Sequence, residues 1–493
     1  MSSTTKGKTL PSLQQKDLAT IDSCKERVHD FVFRLQPQEY HKKYPKWPGM
    51  VGLEVEMFVF WKKDEESTKP QVIPLWGSGS ANIGSILAEG AKMYGGEPVF
   101  ETVDDEKRLI SVNLSEQDFI TFEPGSQVEF SSKPYPCLSE ALGRMESLQR
   151  MLDEAFLAKG VGVVQAGINP WQTVNEISLQ MKKPRYLAMD RYFTSIGEFG
   201  RRMMRQTCGL QVNLDFGEDE ETLAKRYLVA NLLAPIGTAT FAYSPVVDRD
   251  LTDRLSYRAH VWQKLDNSRT GIPKLGDLVK NLTKAHCVNS YLDDVLHARV
   301  VFVQALNFEV PEKPITFLEW MRVGYKGIKP TPQDFETHMS LHFPEVRARG
   351  FLELRSVDCQ SRVWQSVPAA FYTALLYDNS TLNRVYDLLL PTVNNVEANL
   401  TKSSYGLRDE NLGALAKKVM DLACEGFVKL PSCFQGESSL QRLTTYKDIF
   451  TDRGRTPADD VVDLLMENGT TILSPGSLYK LEDKWAKAVG RKG

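Results

Sequence analysis

The sequence predicts an α+β protein in which a mostly antiparallel sheet carries the functional site and helices pack outside it. Strand-like segments with alternating apolar and polar residues are spread between residues 52 and 355, and residues two apart on a strand share a face. Helical patterns separate these segments without a regular β-α-β alternation, and from residue 365 onward the pattern is mostly helical. These observations favour one interlaced catalytic domain over separate modules.

Domain boundaries follow from the same distribution. The polar residues 1–16 predict a flexible tail, residues 17–380 a catalytic domain, and residues 381–493 a helical C-terminal region packed on that domain. Helices are predicted over about residues 17–36, 80–94, 138–158 and 221–242, and a short strand over residues 161–168.

The composition is that of an ordinary globular protein and excludes several classes of function. With 493 residues, 42% of them hydrophobic and 25% charged, the chain is long enough to bury a large core. A net charge of −3 gives no reason to expect nucleic acid or an anionic membrane as a partner, and no apolar run is long enough to span a bilayer. The N-terminus has no secretory pattern, and the seven cysteines have no C-x-x-C spacing, so we expect free thiols in the cytoplasm.

The strand predicted over residues 52–58 carries two glutamates on one face. It reads G-L-E-V-E-M-F, so that Glu54 and Glu56 lie opposite the apolar residues that alternate with them. Taken alone, such a strand is explained by a solvated edge of an antiparallel sheet.

Three further segments repeat this arrangement. Shared polar faces are predicted for Gln127 with Glu129 in the segment that begins at Glu123, for Gln211 with Asn213, and for Glu353 with Arg355. If these strands lie in one sheet, the acids repel one another unless a cation lies among them. Oxygen ligands without histidine or cysteine suit Mg²⁺ or Mn²⁺, whereas Zn²⁺ prefers nitrogen and sulfur. The four segments together predict a metal-bearing face of the sheet.

The sequence contains neither a Walker loop nor a G-x-G-x-x-G turn after a strand. If ATP binds, its phosphates must be held by metal and arginine, because a guanidinium group engages two oxygens at once. The candidates are Arg185, Arg258, Arg269 and Arg355. Taken singly, each is more simply explained as a solvated surface arginine, as arginines in loops usually are. His338 and His342 predict a structural role, because the glutamate of an H-E-x-x-H zinc motif is missing.

Five ordered motifs resemble those of glutamate–cysteine ligases of the plant and proteobacterial type. They are G-L-E-V-E-M-F, F-E-P-G-S-Q-V-E-F-S-S, M-M-R-Q-T-C-G-L-Q-V-N-L-D-F, S-Y-R-A-H-V-W with D-N-S-R-T-G, and F-P-E-V-R-A-R-G-F-L-E-L-R. The resemblance implies a glutamine-synthetase-like catalytic fold and an enzyme that joins the γ-carboxylate of glutamate to the amine of cysteine. It also implies ATP as co-substrate, Mg²⁺ or Mn²⁺ as the metal, and γ-glutamyl phosphate as the intermediate.

The resemblance further implies roles for individual residues. Acids of the metal and ATP site fall at Glu54, Glu56, Glu123, Glu129 and Glu353. Gln211 and Asn213 fall on the central strand among the substrate-binding residues, and Arg185 and Arg258 match arginines that hold the α-carboxylate of glutamate. Arg269 and Arg355 look like catalytic arginines that contact phosphate or the transition state.

Two positions depart from the family's pattern. Ser126 stands where members often have glycine, and Leu142 stands about where plant members carry a regulatory cysteine. We therefore expect reductants to change activity little. The resemblance leaves open a γ-glutamyl ligase for another amine, or a non-catalytic binding protein on the same fold. It implies small-molecule partners, without nucleic acid or membrane, and a monomer or a homodimer.

Overall fold

An antiparallel sheet forms the centre of the protein in a computed structural model, which describes residues 18–77, 82–91, 93, 95–115 and 118–490. Within these ranges the sheet has nine strands in the order β10-β11-β7-β1-β5-β4-β3-β2, with β6 paired to β1, and β8 and β9 form a separate pair. The strands are β1 Val51–Trp61, β2 Glu97–Val103, β3 Glu106–Ser115, β4 Asp118–Phe122, β5 Val128–Ser131, β6 Val161–Val164, β7 Gly209–Leu214, β8 Val246–Val247, β9 Asp250–Leu251, β10 Val346–Ala348 and β11 Leu352–Asp358.

Helices occupy most of the remaining chain. They are α1 Ile21–Arg27, α2 Gln38–Lys43, α3 Ile83–Ala91, α4 Leu138–Leu157, α5 Pro184–Ile196, α6 Phe199–Gln206, α7 Glu220–Thr240, α8 Tyr257–Gln263, α9 Asn267–Thr270, α10 Gly276–Lys280, α11 Lys284–His297, α12 Phe317–Val323, α13 Pro332–Met339, α14 Ser366–Tyr377, α15 Asn379–Leu389, α16 Val396–Ser403, α17 Glu410–Phe427, α18 Glu437–Ile449, α19 Pro457–Glu467 and α20 Pro475–Ala488. None of the helices in the described ranges is long and apolar enough to cross a membrane.

Alternation along the strands gives the sheet one apolar and one polar face. On β1, Leu53, Val55 and Met57 are at most 1% exposed and belong to the main core, and the glutamates alternate with them. Behind this apolar face, α7 packs against β11 and α14 packs against β7. The fold therefore leaves the glutamate-bearing face free for a ligand.

The prediction of one sheet is confirmed, because the four strands with polar pairs are neighbours in the order β11-β7-β1-β5. Two element boundaries differ from the prediction. The first helix is α1 followed by a π-helical segment that ends at Val32. The strand expected over residues 161–168 ends at Val164, since the next residues leave β1 and the Gly167 N–H donates to the carbonyl of Tyr243. The predicted tail, residues 1–16, lies outside the described residues.

The C-terminal helices share the core of the sheet. Trp485 of α20 packs its ring against Tyr243, Trp364 and Phe450. One hydrophobic cluster contains residues of β1 as well as residues of α17, α18 and α20. The region after residue 380 therefore packs on the sheet that carries the polar face.

Candidate active site

A cavity of 510 Å³ opens on the polar face of the sheet. Its lining includes Glu54, Glu56, Glu123, Glu129, Gln211, Arg185, Arg258 and Arg355. Most of the residues singled out from the sequence thus meet in one space. Asn213, Arg269 and Glu353 are not among the described residues that line it.

Strand register explains how residues distant in sequence meet. Glu56 of β1 lies opposite Glu129 of β5, and Glu54 lies opposite Gln211 of β7. Directly opposed side chains on antiparallel strands emerge on the same face with their Cβ atoms about 4.5–5.5 Å apart. The pairing therefore concentrates carboxylates over the middle of the sheet.

Glu123 reaches the strand glutamates through a tight turn between β4 and β5. The Ser126 N–H donates to the Glu123 carbonyl at 3.0 Å, and the Glu123 N–H donates to the Gln127 carbonyl at 2.9 Å. A Cβ atom on Gly125 would lie 2.3 Å from the carbonyl oxygen of Arg205 in α6. Glycine at this position lets the turn lie directly against α6, which sets Glu123 in the cavity.

Glu56, Glu123 and Glu129 each offer a carboxylate oxygen within 4.8 Å of the other two. Burial, followed by the repulsion of neighbouring carboxylates, raises the pKa of Glu123 and Glu129. Burial also raises the pKa of Glu56 to about 6. The pKa of Glu54 is raised to about 7 by burial and by the negative charges of Glu353 and Glu129. Clustered carboxylates that are buried or half-buried and resist ionisation favour a bound cation, and an oxygen-only donor set fits Mg²⁺ or Mn²⁺.

Hydrogen bonds hold these carboxylates in place. Glu56 accepts the Gly209 N–H at 2.8 Å, and Glu54 accepts the Asn213 side-chain amide at 3.0 Å. Glu129 accepts the hydroxyls of Thr121 at 2.9 Å and Ser131 at 2.7 Å. Asn213 therefore orients Glu54 without lining the cavity itself, although the sequence predicted that it binds substrate.

Glu353 differs from the predicted metal ligand because its carboxylate is already occupied. It is fully buried and accepts Arg347 Nε at 2.5 Å, Arg347 Nη2 at 2.6 Å and Arg355 Nη1 at 2.7 Å. Burial alone would raise its pKa, but the charges of Arg347 and Arg355 outweigh this effect and lower the pKa. We correct its role accordingly: Glu353 is the counter-ion that positions two arginines.

Arg355 lies at the centre of the charged network. Besides its bond to Glu353, its Nη1 donates to Gln211 Oε1 at 2.8 Å. Its guanidinium also lies 5.4 Å from the ring centre of Trp262 and 5.9 Å from that of Phe343. These contacts fix a buried cation beside the carboxylates, where charge on a substrate can be neutralised.

Arg258 is held from behind by the end of β11. It is the second residue of α8, and its Nη2 donates to the Arg355 carbonyl at 2.9 Å. Its Nη1 lies 3.9 Å from the buried Asp358 carboxylate. A Cβ atom on Gly209 would lie only 2.9 Å from Arg258 Nη2, so glycine makes room for the guanidinium beside β7.

Arg185 approaches the cavity from the N-terminus of α5. Pro184 occupies the first turn of that helix, and Arg185 Nη2 donates to the Ser340 carbonyl at 3.3 Å. Burial, with the charges of Arg347 and Arg349 nearby, lowers its pKa. A cation in such surroundings gains from an anionic ligand.

Arg269 was predicted to be a site residue, but it does not line the cavity. It is fully buried and its Nη1 donates to the carbonyl of Leu341 at 2.6 Å, while Nη2 donates to the carbonyl of Arg299 and contacts His338 Nδ1 at 3.0 Å. Its donors therefore join α9 to two other backbone segments, at Arg299 and at residues 338–341. The prediction that Arg269 contacts phosphate is corrected to a structural role.

The histidine pair has the structural role predicted from the sequence. His338 Nε2 lies 2.9 Å from the carbonyl of Val295, and burial together with the charge of Arg269 lowers the pKa of His338. Burial likewise lowers the pKa of His342 to about 3. Both rings are neutral parts of the core that surrounds Arg269.

Sequence reasoning missed several residues that line the cavity. Arg347 and Arg349 lie on one wall, and Trp262 and Phe343 provide aromatic surface. The pairing of Arg347 with Glu353 across the β10–β11 hairpin is a signal that could have been found, because the short segment R-A-R-G-F-L-E can fold back at Gly350. The aromatic residues carry no comparable local signal.

Comparisons with known proteins place this geometry in context. The family model of glutamate-cysteine ligase family 2 (GCS2) matches residues 50–473. The chain is 28% identical over 378 residues to the chloroplastic glutamate–cysteine ligase B of rice, Oryza sativa subsp. japonica, covering 74% of this chain and 73% of the relative. It is 30% identical over 379 residues to the chloroplastic enzyme of Medicago truncatula, covering 74% and 71%.

A solved structure shares the fold. It is the glutamate–cysteine ligase of Francisella tularensis in complex with AMP, with a TM-score of 0.50, 14% sequence identity, and coverage of 90% of this chain and 89% of the other. The predicted fold class, an α+β ligase fold with an antiparallel sheet at its centre, is thereby confirmed.

The relatives contradict the cytoplasmic location expected from the sequence, because those of rice and Medicago truncatula are named as chloroplast proteins. The expectation was drawn from free cysteines and from the lack of a secretory pattern. Reduced thiols report only that a compartment is reducing, so they could not single out the cytoplasm.

Proposed function

The chain belongs to glutamate–cysteine ligase family 2, and from that membership we propose how its cavity carries out the family's reaction. The protein is an ATP-dependent ligase that joins the γ-carboxylate of glutamate to the amine of cysteine. The product is γ-glutamylcysteine, and the reaction is the first step of glutathione biosynthesis. The observation that supports our assignment of roles is the meeting of three clustered carboxylates with Arg185, Arg258 and Arg355 in one cavity.

Glu56, Glu123 and Glu129 are the proposed ligands of Mg²⁺ or Mn²⁺, with Glu54 beside them. Their donor atoms are close enough to share an ion, and their raised pKa values reflect a cost that a cation would relieve. When bound, the metal would neutralise charge on the phosphates of ATP. The protein's part is to hold the carboxylates together through the β1–β5 register and the turn at Gly125.

Arg258 and Arg185 are the proposed partners of the α-carboxylate of glutamate. Both guanidinium groups line the cavity, and neither has a carboxylate partner within hydrogen-bond distance among the described residues. A guanidinium group binds a carboxylate through two parallel hydrogen bonds, which fixes orientation as well as position. Glutamate held in this way can direct its γ-carboxylate toward the acidic cluster.

Arg355 and Arg347 are the proposed neutralising groups for the transferred phosphoryl. An oxygen of the γ-carboxylate attacks the γ-phosphorus of ATP, the bond to the β-phosphate oxygen breaks, and ADP leaves. The cysteine nitrogen then attacks the γ-carbonyl carbon, the bond to the phosphate oxygen breaks, and the nitrogen loses its proton. Arginines preorganised by Glu353 stabilise charge that develops on oxygen in both steps without rearranging.

The acceptor amine provides the direct test of this function. Purified protein is incubated with glutamate, ATP and Mg²⁺, and ADP release is measured with each amino acid in turn. We expect release that depends on cysteine, with γ-glutamylcysteine identified by mass spectrometry in equal amount. ADP release that is independent of cysteine, or that requires another amine, would contradict the proposal.

For the assembly we propose a monomer or a homodimer, since every proposed role is filled by residues of one chain. Sedimentation equilibrium across a range of protein concentrations tests this proposal. A larger assembly that persists on dilution would contradict it.

A further inference from the structure

A second cavity of 380 Å³ lies at the ends of β1 and β7, and it shares no lining residue with the active-site cavity. Four segments form it: residues 41–48 before β1, residues 217–226 after β7, residues 377–379 at the junction of α14 and α15, and residues 429–431 after α17. The ligase reaction described above uses none of these residues.

Arg226 on the wall of this second cavity has unused hydrogen-bonding capacity. The residue is only 3% exposed, and its guanidinium lies over the ring of Tyr377 at 4.7 Å. Its Nη1 donates to the carbonyls of Asp215 at 3.0 Å and Pro48 at 3.4 Å, but its Nε has no hydrogen-bond partner within the described part of the chain. Buried polar groups are nearly always paired, so an unsatisfied buried guanidinium nitrogen points to a missing acceptor.

Both cations and acids lie on the walls of the second cavity. Lys46 and Lys429 line the cavity with Arg226. Asp219 and Asp378 also line it, but each carboxylate accepts a backbone N–H at 2.8 Å as the N-cap of its helix, α7 and α15 respectively. A capping carboxylate is compensated by the positive end of its helix.

Two further acids lie near these cations. Glu218, which also lines the cavity, is 69% exposed at its side chain, where solvent screens it. The carboxylate of Asp215, whose charge attracts Arg226, is itself bound by the Met50 N–H at 2.7 Å and by Gln36 Nε2 at 2.6 Å. Lys46 and Lys429 are exposed as well, and Lys429 Nζ already donates to Ser380 Oγ at 3.0 Å. The unpaired Nε of Arg226 is therefore the observation that points to an anion.

We propose that the second cavity is a binding site for a small oxyanion, a carboxylate or a phosphate, that is held by Arg226 with Lys46 and Lys429. A guanidinium group with free donors binds either oxyanion, and 380 Å³ admits a small organic molecule as well as inorganic phosphate. The proposal does not depend on which substrates the active-site cavity takes.

The site is joined to the strands that present the catalytic glutamates. Tyr377 donates its hydroxyl to the carbonyl of Met50 and accepts the Asp215 N–H at 2.7 Å, which ties the start of β1 to the end of β7. Met50 precedes Glu54 by four residues, and Asn213, the partner of Glu54, precedes Asp215 by two. An anion on Arg226 thus binds at the common end of β1 and β7.

Calorimetric titration of the full-length protein tests the site, with inorganic phosphate in one arm and succinate in the other. In at least one arm we expect two classes of binding site in the unmodified protein. Arg355→Ala should remove the class that belongs to the active-site cavity. Lys429→Gln and Lys46→Gln should each weaken the other class about tenfold, the effect of losing one charged contact, and should leave ligase turnover unchanged.

Lys418→Gln is the matched control, because it removes an exposed lysine from α17 outside this cavity and should change neither class. Arg226→Lys, checked for its melting temperature, should weaken the second class further. The arm that shows binding identifies the oxyanion as phosphate or carboxylate. A single class that Arg355→Ala abolishes and Lys429→Gln does not affect, or no second class with either probe, would overturn the proposal.

Discussion

At the scale of single residues, the dominant feature is the concentration of acids in a buried space. Like charges repel more strongly in partly buried surroundings than in bulk water, and this cavity holds Glu54, Glu56, Glu123 and Glu129 together. Folding tolerates the arrangement because arginines lie on the same walls and because part of the repulsion is relieved by protonation or by a cation. Each acid therefore lowers the stability of the folded protein while contributing to the proposed metal site.

The metal assignment leads to a prediction for Glu56. Glu56→Gln removes one of three clustered carboxylates, and we expect turnover to fall about 10²–10³-fold, as when one group aimed at reacting charge is lost. The melting temperature should stay the same or rise, since repulsion is reduced. Activity is measured against Mg²⁺ and Mn²⁺ concentration.

Glu482→Gln is the control for this change, because it alters a half-buried glutamate with a raised pKa that lies outside the cavity. It should leave the metal dependence unchanged. Near-normal turnover of Glu56→Gln at saturating metal would show that the metal is bound elsewhere.

Two buried arginines with different surroundings should respond differently to substitution. Arg258→Ala removes a proposed contact to the α-carboxylate, worth about 1.5–3 kcal/mol, so the KM for glutamate should rise roughly ten- to hundredfold, far more than the KM for ATP. Steady-state kinetics with each substrate varied in turn measures the difference.

Arg269→Lys should instead lower the free energy of unfolding by about 1–3 kcal/mol, because backbone carbonyls that Arg269 now satisfies would lose their donors. The KM values of the folded fraction should not change. An Arg269 variant with normal stability and a raised KM for ATP would restore the catalytic role predicted from the sequence.

At the scale of structural elements, the turn between β4 and β5 is the feature on which the acidic cluster depends. It brings Glu123 beside Glu129, and it includes a residue other than glycine in the left-handed region, Ser126 with a φ of 78°. A side chain in this conformation costs about 1–2 kcal/mol, and glycine avoids that cost while losing about 0.5–1 kcal/mol to its greater freedom in the unfolded chain.

Ser126→Gly should therefore raise the free energy of unfolding by up to about 1 kcal/mol and leave turnover within twofold of normal. Chemical denaturation measures the first quantity and ADP release the second. Asn307→Gly is the matched comparison, because asparagine tolerates the left-handed region and its φ is 54°. We expect a smaller gain there; a loss of stability at Ser126→Gly would mean that the serine side chain supports the turn.

At the scale of the whole molecule, the C-terminal helices complete the core behind the sheet and also bring two distant thiols together. Cys137, just before α4, lies near Cys433, which follows α17. The hydroxyl of Ser139 donates to the carbonyl of Cys433 at 2.5 Å and lies 3.6 Å from Cys137 Sγ. Neither cysteine is at the position of Leu142, which corresponds roughly to the regulatory cysteine of the plant members.

We nevertheless expect reductants to change activity little. Burial, together with the neighbouring Cys137, raises the pKa of Cys433 to about 12, and a thiol that stays protonated reacts slowly because the thiolate is the nucleophile. Activity is measured after diamide treatment, before and after dithiothreitol, with Cys433→Ser as the control. Severalfold reversible activation that disappears in Cys433→Ser would show that this pair works as a switch.

The sequence alone determined which side chains share the polar face, because alternation along a strand depends only on local backbone geometry, and ordered motifs such as G-L-E-V-E-M-F identified the family. Only the tertiary structure decided which of these residues reach the cavity. Arg269 is occupied by carbonyls about 30 and 70 residues away, and Glu353 by arginines across a hairpin and on its own strand. The contacts of Arg269 join segments whose approach is set by packing of the whole core, and no local pattern encodes it, whereas the pairing of Arg347 with Glu353 follows from the local hairpin. The cavity at Arg226 likewise could not be predicted from the sequence, because four separate segments form its walls.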